Sequence, residues 1–109
     1  QLSGSPAVPA VVQWGCWNTY YVSPMANSLG QALLLKGPHG ASAVFGAVSL
    51  TDISGHRHLA PQLLSRFASG RRIGDAIRDA RRALASDGIT LVEPMVGSNL
   101  LGDPAMILP

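Results

Sequence analysis

A single cysteine, Cys16, occurs in these 109 residues. No disulfide can therefore form within them, and the fold must be stabilised by its packed core. Charge is also scarce, because Asp, Glu, Lys and Arg make up 13% of the chain, against roughly 25% in average soluble proteins. So few charges predict that part of the surface is covered by another chain or by the rest of a longer one.

Long apolar stretches are lacking as well. None approaches the roughly 18 residues that a membrane-crossing helix needs, so we expect no membrane partner. The phosphate-binding patterns GxxxxGK and GxGxxG do not follow a predicted strand, and nucleotide binding has no motif to support it. The length suits one domain with a sizeable core.

Along the chain, short apolar runs typical of strands alternate with segments whose apolar residues have helical spacing. Residues 10–15, AVVQWG, predict a buried strand that ends just before Cys16. A helix over 28–35 follows, and residues 41–50, ASAVFGAVSL, predict a second buried strand. The order strand, helix, strand is typical of a parallel crossover. Residues 1–9, rich in small residues and proline, predict a linker or a truncated loop.

Two more helices are predicted after the second strand. The first begins at His56 and has Pro61 in its first turn, where no amide donor is lost. One side of it is formed by Leu59, Leu63, Leu64 and Phe67. The second helix has apolar residues at three- and four-residue spacings and ends before Gly88. The last apolar run, 105–108, predicts an edge strand or the passage into a following domain.

The residues beyond the two strands are the candidates for chemistry. Cys16 follows the first strand, and residues 49–58, SLTDISGHRH, follow the second. Because ligands bind beyond the carboxyl ends of parallel strands, we expect the two loops to face one cleft. A cysteine placed there is suited to nucleophilic attack through its thiolate. The alternative is a cysteine that only fills the core, since free cysteine is among the most buried residue types.

A thiol nucleophile also needs a base, which is usually a histidine. His39 lies in a turn before the second strand, at the opposite end of the sheet, and is expected to be a surface residue. His56 and His58 come from the right loop, but we expect them to open a helix and to face solvent or cap it. Asp52 and Cys16 are the only further donors nearby, which falls short of a zinc site, so no metal is expected.

One short segment is rich in arginine: it holds Arg71, Arg72, Arg78, Arg81 and Arg82. A basic face of this kind attracts nucleic acid. However, Asp75 and Asp79 are interleaved with the arginines at helical spacing, and ion pairs on a solvated helix explain the segment more simply. We therefore expect no nucleic-acid partner.

Three aromatic residues, Trp17, Tyr20 and Tyr21, follow the cysteine at once. They form either the wall of a substrate pocket or a packing contact between the loop and the sheet, and the sequence leaves both interpretations open. Each ring has a polar atom that needs a partner if it is buried.

Four features occur in a distinctive order: an apolar strand that ends in the cysteine, the helix SLGQALL, the strand and loop GASAVFGAVSLTD, and the closing NLLGDP. Together they resemble the carboxyl-terminal half of a gingipain-type cysteine peptidase domain, with the CHAT peptidases as a close second. The resemblance implies an α/β, caspase-like fold, a three-layer α/β/α sandwich with a mostly parallel sheet. Residues 10–109 are then the second half of that domain, and no cofactor is required.

The same resemblance implies a cysteine endopeptidase with Cys16 as its nucleophile. In this fold the catalytic histidine belongs to a His-Gly motif that comes before the cysteine. None of the fifteen residues that precede Cys16 is a histidine. The amino-terminal half of the same domain is therefore the expected partner and the expected source of the histidine. A catalytically inactive module that binds peptide or protein in the same cleft is the alternative.

The resemblance also implies where a protein or peptide substrate binds. Trp17 is expected to contact it from the first loop, together with four residues that follow the second strand: Thr51, Asp52, Ile53 and Ser54. In isolation the chain is expected to be inactive and to self-associate through an exposed sheet edge.

Overall fold

The computed structural model of the protein describes residues 9–23, 25–89 and 96–108. Within them the elements occur in the order β1 (Ala10–Gln13), α1 (Leu29–Leu34), β2 (Ala43–Ala47), α2 (Ile53–Phe67), α3 (Ile73–Ser86) and β3 (Ser98–Gly102). A short 3-10 helix, Gly37–His39, precedes β2. The predicted linker at 1–9 lies outside the described residues except for residue 9. No helix in the described part of the chain has both the length and the apolar character needed to cross a membrane.

The sheet has β2 at its centre. β1 pairs with β2 in parallel, with Val12 opposite Phe45, which confirms the predicted crossover. β3 pairs with the other side of β2 and is antiparallel, with Leu100 opposite Phe45. The described sheet is therefore mixed and not mostly parallel as expected. β3 begins opposite Ala47 at the carboxyl end of β2, so it runs back along that strand.

The main core lies on one face of this sheet. Ala43 and Phe45 are two residues apart and therefore face the same side of β2. They belong to one buried cluster with Leu59 and Leu63 of α2. The α3 contribution recurs at helical spacing, as predicted: Ile73, Ile77, Ala80 and Leu84. Leu64 does not belong to the cluster, contrary to expectation, and its side chain is 50% exposed. The buried stripe of α2 repeats every four residues, and the residue after Leu63 is turned away from it.

Helix α2 begins earlier than predicted. Its first residue is Ile53 and its N-cap is Asp52, so Pro61 lies inside the helix and not in its first turn. Proline has no N–H to offer the carbonyl four residues earlier, which belongs to Arg57. Position 61 is exposed, and the helix accepts the proline on its solvent side.

Helix α1 covers the opposite face of the sheet. Its N-terminus has a complete capping box, in which the Ser28 hydroxyl accepts from the Gln31 amide and the Gln31 side chain accepts from the Ser28 amide. Gly30 is buried, and its amide donates to the Asn18 carbonyl at 2.8 Å. A Cβ at Gly30 would lie 2.9 Å from Thr19 Cγ2 and 3.3 Å from Leu101 Cδ1. Helices thus flank both faces of the described sheet.

The carboxyl-terminal run 105–108 forms no strand of the sheet. Ile107 makes a single bridge with Arg72, and the run lies against the start of α3. The carbonyls of Met106 and Pro104 accept from the Ile73 and Gly74 amides at 2.8 and 2.9 Å. They satisfy donors that a helix N-terminus leaves open, and α3 has no side-chain cap.

Candidate active site

The two loops predicted to face one cleft do meet beyond the carboxyl ends of β1 and β2. We call residues 14–20 the cysteine loop and residues 48–52 the threonine loop. The amide of Thr19 donates to the Ala47 carbonyl at 2.9 Å, and the amide of Trp17 donates to the Ser49 carbonyl at 3.2 Å. These two backbone bonds fix the cysteine loop against the end of the central strand.

Cys16 is exposed and sits directly against Thr51. Its Sγ lies 3.4 Å from both the Thr51 amide nitrogen and the Thr51 Oγ1, and 3.5 Å from the Thr51 carbonyl oxygen. The side chain is therefore open to solvent on one side and held by polar atoms on the other. The interpretation of Cys16 as a residue that only fills the core is wrong for this structure.

These contacts lower the pKa of the Cys16 thiol below its ordinary value. The largest cause is the hydrogen bond with the Thr51 side chain, and the next is the bond with the Thr51 backbone. Both stabilise the thiolate, whereas the small loss of hydration has the opposite effect. An exposed thiol with a lowered pKa has the character of a reactive cysteine.

Trp17 follows the cysteine in an uncommon conformation. Its φ angle is 60°, in the left-handed region that few residues other than glycine adopt. The indole is 46% exposed and meets the Tyr20 ring edge to face, with centroids 4.9 Å apart. The ring thus has an exposed surface beside the thiol as well as a packing partner within its own loop.

The three other predicted substrate contacts begin helix α2 next to Thr51. Ile53 is 68% exposed, and Asp52 is exposed. The Ser54 hydroxyl donates to the Asp52 carboxylate, and this bond, followed by that of the Ser54 backbone amide, holds the pKa of that carboxyl below its ordinary value. An apolar side chain and a carboxylate therefore lie side by side near the thiol.

Within the described residues, none of the three histidines hydrogen-bonds to Cys16, and the atoms that contact its sulfur belong to Thr51. His39 ends the 3-10 helix before β2 and is exposed, at the opposite end of the sheet as predicted. His58 is exposed in α2. His56 packs its ring on Trp14, with centroids 5.3 Å apart. Within the described residues, no three His, Cys, Asp or Glu side chains are grouped closely enough to hold a metal ion.

The arginine segment pairs with both aspartates, but only Arg78 with Asp75 and Arg82 with Asp79, at 4.0 Å, have the helical spacing predicted from the sequence. Arg78 pairs with Asp75 at 2.9 Å and with Asp79 at 3.0 Å, while Arg71 reaches Asp79 at 2.8 Å. Arg81 differs from the others, since it is half-buried, lies over the Phe45 ring and donates to the Ser98 carbonyl. Burial lowers the pKa of its guanidinium.

An open depression lies beside these ion pairs. Its volume is about 580 Å³, and its walls come from α2, α3 and the turn between them. It shares no lining residue with the cysteine loop or the threonine loop, so it is separate from the site around Cys16.

The model of the family described as Peptidase family C25 matches residues 1–109. The chain belongs to peptidase family C25. No curated protein and no solved structure is similar enough to match it.

Membership of family C25 confirms the resemblance to gingipain-type cysteine peptidases. It implies cysteine peptidase activity and therefore protein or peptide substrates. It also decides between the gingipain-type peptidases and the CHAT peptidases as the group that the chain resembles. The described fold is α/β, with a mixed sheet and helices on both faces.

Sequence reasoning missed two contacts at this site. Thr51 was expected only as a substrate contact, and its hydrogen bonds to Cys16 were not foreseen. One signal was present, because Thr51 follows the second strand much as Cys16 follows the first. The ring contact between Trp14 and His56 has no such signal, since 42 positions separate the two residues in the chain.

Proposed function

We propose that this chain supplies the nucleophile of a cysteine endopeptidase and that Cys16 is that nucleophile. One observation carries the proposal: in a member of family C25, the chain's single cysteine is exposed beyond the carboxyl end of a parallel strand, against hydrogen-bond donors. Loops at that end of parallel strands are where α/β proteins bind their ligands.

The proposed reaction follows from the chemistry of a thiolate. Sγ attacks the scissile carbonyl carbon, and the carbonyl oxygen becomes an oxyanion held by backbone amides. As the tetrahedral intermediate collapses, the C–N bond breaks and a histidine protonates the leaving amine. Water then hydrolyses the thioester, which releases the new carboxylate and returns the thiol.

The histidine is proposed to come from outside these residues. His39 lies at the wrong end of the sheet, His58 is exposed in α2, and the ring of His56 is engaged with Trp14. The strand β1 supports a partner half, because in the described sheet it is hydrogen-bonded on one side only, to β2. A further strand on that edge would complete a larger, caspase-like sheet.

Substrate is proposed to lie across the exposed side chains that surround Cys16. Trp17, next to Cys16 in the chain, offers an exposed apolar ring surface, and Ile53, two residues after Thr51, offers an exposed apolar side chain. Asp52 adds a carboxylate that favours a basic or polar group on the substrate, and Ser54 holds that carboxylate in place. These four residues are the proposed subsite contacts, together with the backbone of Thr51.

The test is peptide hydrolysis by the full-length protein that carries this chain. Cys16→Ala and Cys16→Ser are expected to abolish hydrolysis, while the exposed and distant Ser86→Ala retains it. A Cys16→Ala protein with normal hydrolysis would falsify the proposal. An inactive binding module, in contrast, predicts peptide binding without turnover and a thiol of ordinary reactivity.

The source of the histidine is tested in the same protein. His39→Ala and His58→Ala are expected to retain hydrolysis. His56→Phe is expected to do so as well, because phenylalanine keeps a ring against Trp14 while it removes the base. Loss of turnover in any one of these variants, with the fold intact, would place the base within this chain.

A further inference from the structure

Thr51 meets the thiol through three of its atoms. The amide nitrogen and Oγ1 each lie 3.4 Å from Sγ, and the carbonyl oxygen lies 3.5 Å from it. A side chain whose only role was to contact substrate would not need its hydroxyl turned toward the neighbouring sulfur. The arrangement instead offers the sulfur partners in both of its protonation states.

The two states of the thiol use these atoms differently. A neutral thiol donates a hydrogen bond to the Thr51 carbonyl oxygen or to the Thr51 hydroxyl oxygen. Once the proton has left, the thiolate accepts from the Thr51 amide and from the hydroxyl, whose hydrogen is free to rotate. Hydrogen bonds to an ionised acceptor are stronger than bonds between neutral groups, so the exchange favours the thiolate.

The backbone around Thr51 is fixed well enough for this role. Two residues earlier, the Ser49 carbonyl accepts from Trp17, and Ala47 at the end of β2 accepts from Thr19. Ala47 is 1% exposed and is paired with Ser98 of β3. The position of the Thr51 amide is therefore set by the central strand of the sheet.

We propose that Thr51 is a positioning residue for the nucleophile, whose hydroxyl and amide hold the Cys16 sulfur in place and stabilise its thiolate. This inference rests on the proposed function of Cys16. It gives Thr51 a role in the attack itself, beyond the substrate contact expected from the sequence.

The charged and titratable groups around the sulfur are few in the described part of the chain. Asp52 follows Thr51 in sequence, and His56 lies in the first turns of α2 against Trp14. Tyr20 ends the cysteine loop and Tyr21 follows it. The lowered pKa of Cys16 comes chiefly from Thr51, with a smaller contribution from the backbone of Cys16 itself and none from a charged side chain. Removal of the Thr51 hydroxyl should therefore be visible in the titration of the thiol.

The experiment measures the rate of Cys16 alkylation by iodoacetamide as a function of pH, in the full-length protein, with the modified peptide quantified by mass spectrometry. Thr51→Val is expected to slow alkylation about three- to tenfold at pH 7 and to move the titration to higher pH. Thr51→Ala should behave in the same way, without the extra methyl group of valine. Thr51→Ser keeps the hydroxyl and should match the wild type.

Two outcomes would overturn the inference: an unchanged pH profile in Thr51→Val and Thr51→Ala, or a Thr51→Ser profile shifted as far as theirs. Hydrolysis gives a second readout. In Thr51→Val the acidic limb of the kcat/KM profile should move to higher pH, and kcat/KM should return to the wild-type value at pH values where the thiol is fully ionised. Purely structural damage would lower kcat/KM at every pH. Alkylation does not depend on turnover, so failure of the proposed function, seen as hydrolysis by Cys16→Ala, is distinguished from failure of this inference.

Discussion

The indole of Trp14 and the imidazole of His56 pack together, with ring centroids 5.3 Å apart and planes inclined by 58°. Trp14 lies two residues before Cys16, and His56 lies in the first turns of α2. The contact therefore joins the loop that carries the thiol to the helix that begins just after Thr51. It gives His56 a structural role beside the site, in place of the solvent-facing or capping role expected from the sequence.

This ring contact is expected to contribute a measurable coupling energy. In a double-mutant cycle of Trp14→Ala and His56→Ala, the free energies of unfolding should show a coupling of about 0.5–1.5 kcal/mol. The measurement is urea denaturation of the two single variants and the double variant. His58→Ala with Trp14→Ala is the matched control, since His58 is exposed on the same helix and should combine additively. Additive free energies in the Trp14 and His56 cycle would show that the rings do not interact.

The Asp52 carboxylate should make stability depend on pH through Ser54. Its pKa in the folded protein lies below its ordinary value, chiefly because the Ser54 hydroxyl donates to it. The stabilisation is therefore complete above the unfolded pKa and is lost as pH falls through the folded pKa. Ser54→Ala should raise the pKa of Asp52 in an NMR titration. It should also lower the unfolding free energy at pH 7 more than at pH 3.

A matched control for this prediction is Ser65→Ala in the same helix, whose hydroxyl donates to the Gln62 carbonyl instead. Its effect on stability should not vary with pH in that range. If Ser54→Ala left the Asp52 titration where it was, the hydroxyl would not be the cause of the low pKa.

The sequence is sufficient to predict β1, β2, the three helices apart from the start of α2, and the location of Cys16, but it does not predict β3. Apolar runs without charge mark β1 and β2, and the spacing of Ile73, Ile77, Ala80 and Leu84 marks α3. Local pattern controls these features, because burial on one face of a helix or on both faces of a strand needs particular side chains at fixed intervals. Once β1 is predicted, the sequence position of Cys16 is enough to place it just beyond the end of that strand.

Other features depend on tertiary geometry that no local pattern encodes. The mixed sheet arises because β3 begins beside Ala47, at the carboxyl end of β2, and runs back along that strand. Pro61 lies inside α2 because the helix starts directly after the threonine loop, which the sequence alone did not reveal. The contact of Cys16 with Thr51 needs two loops to be fixed in register by the Trp17 and Thr19 amides. Pairwise contacts between loops are set by such backbone bonds and not by residue type.

The cysteine loop is also held by a close fit between Gly46 and Thr19. A Cβ at Gly46 would lie 2.9 Å from Thr19 Cγ2 and 3.3 Å from Gln13 Cβ. Both sites are buried, so Gly46→Ala should overpack the junction and lower the unfolding free energy by about 1–3 kcal/mol. It should also alter the rate of Cys16 alkylation, because Thr19 cannot move without moving the cysteine loop.

Thr19→Ala provides the test of that cause. It removes the methyl group that the new Cβ would meet, together with an Oγ1 that has no hydrogen-bond partner in the described structure. The double variant should therefore lose less stability than the sum of the two single variants, as measured by urea denaturation. If the two losses simply added, the clash with Thr19 would not be what excludes a side chain at position 46. The absence of a side chain at Gly46, near the end of β2, would then have a cause other than the space that the cysteine loop needs.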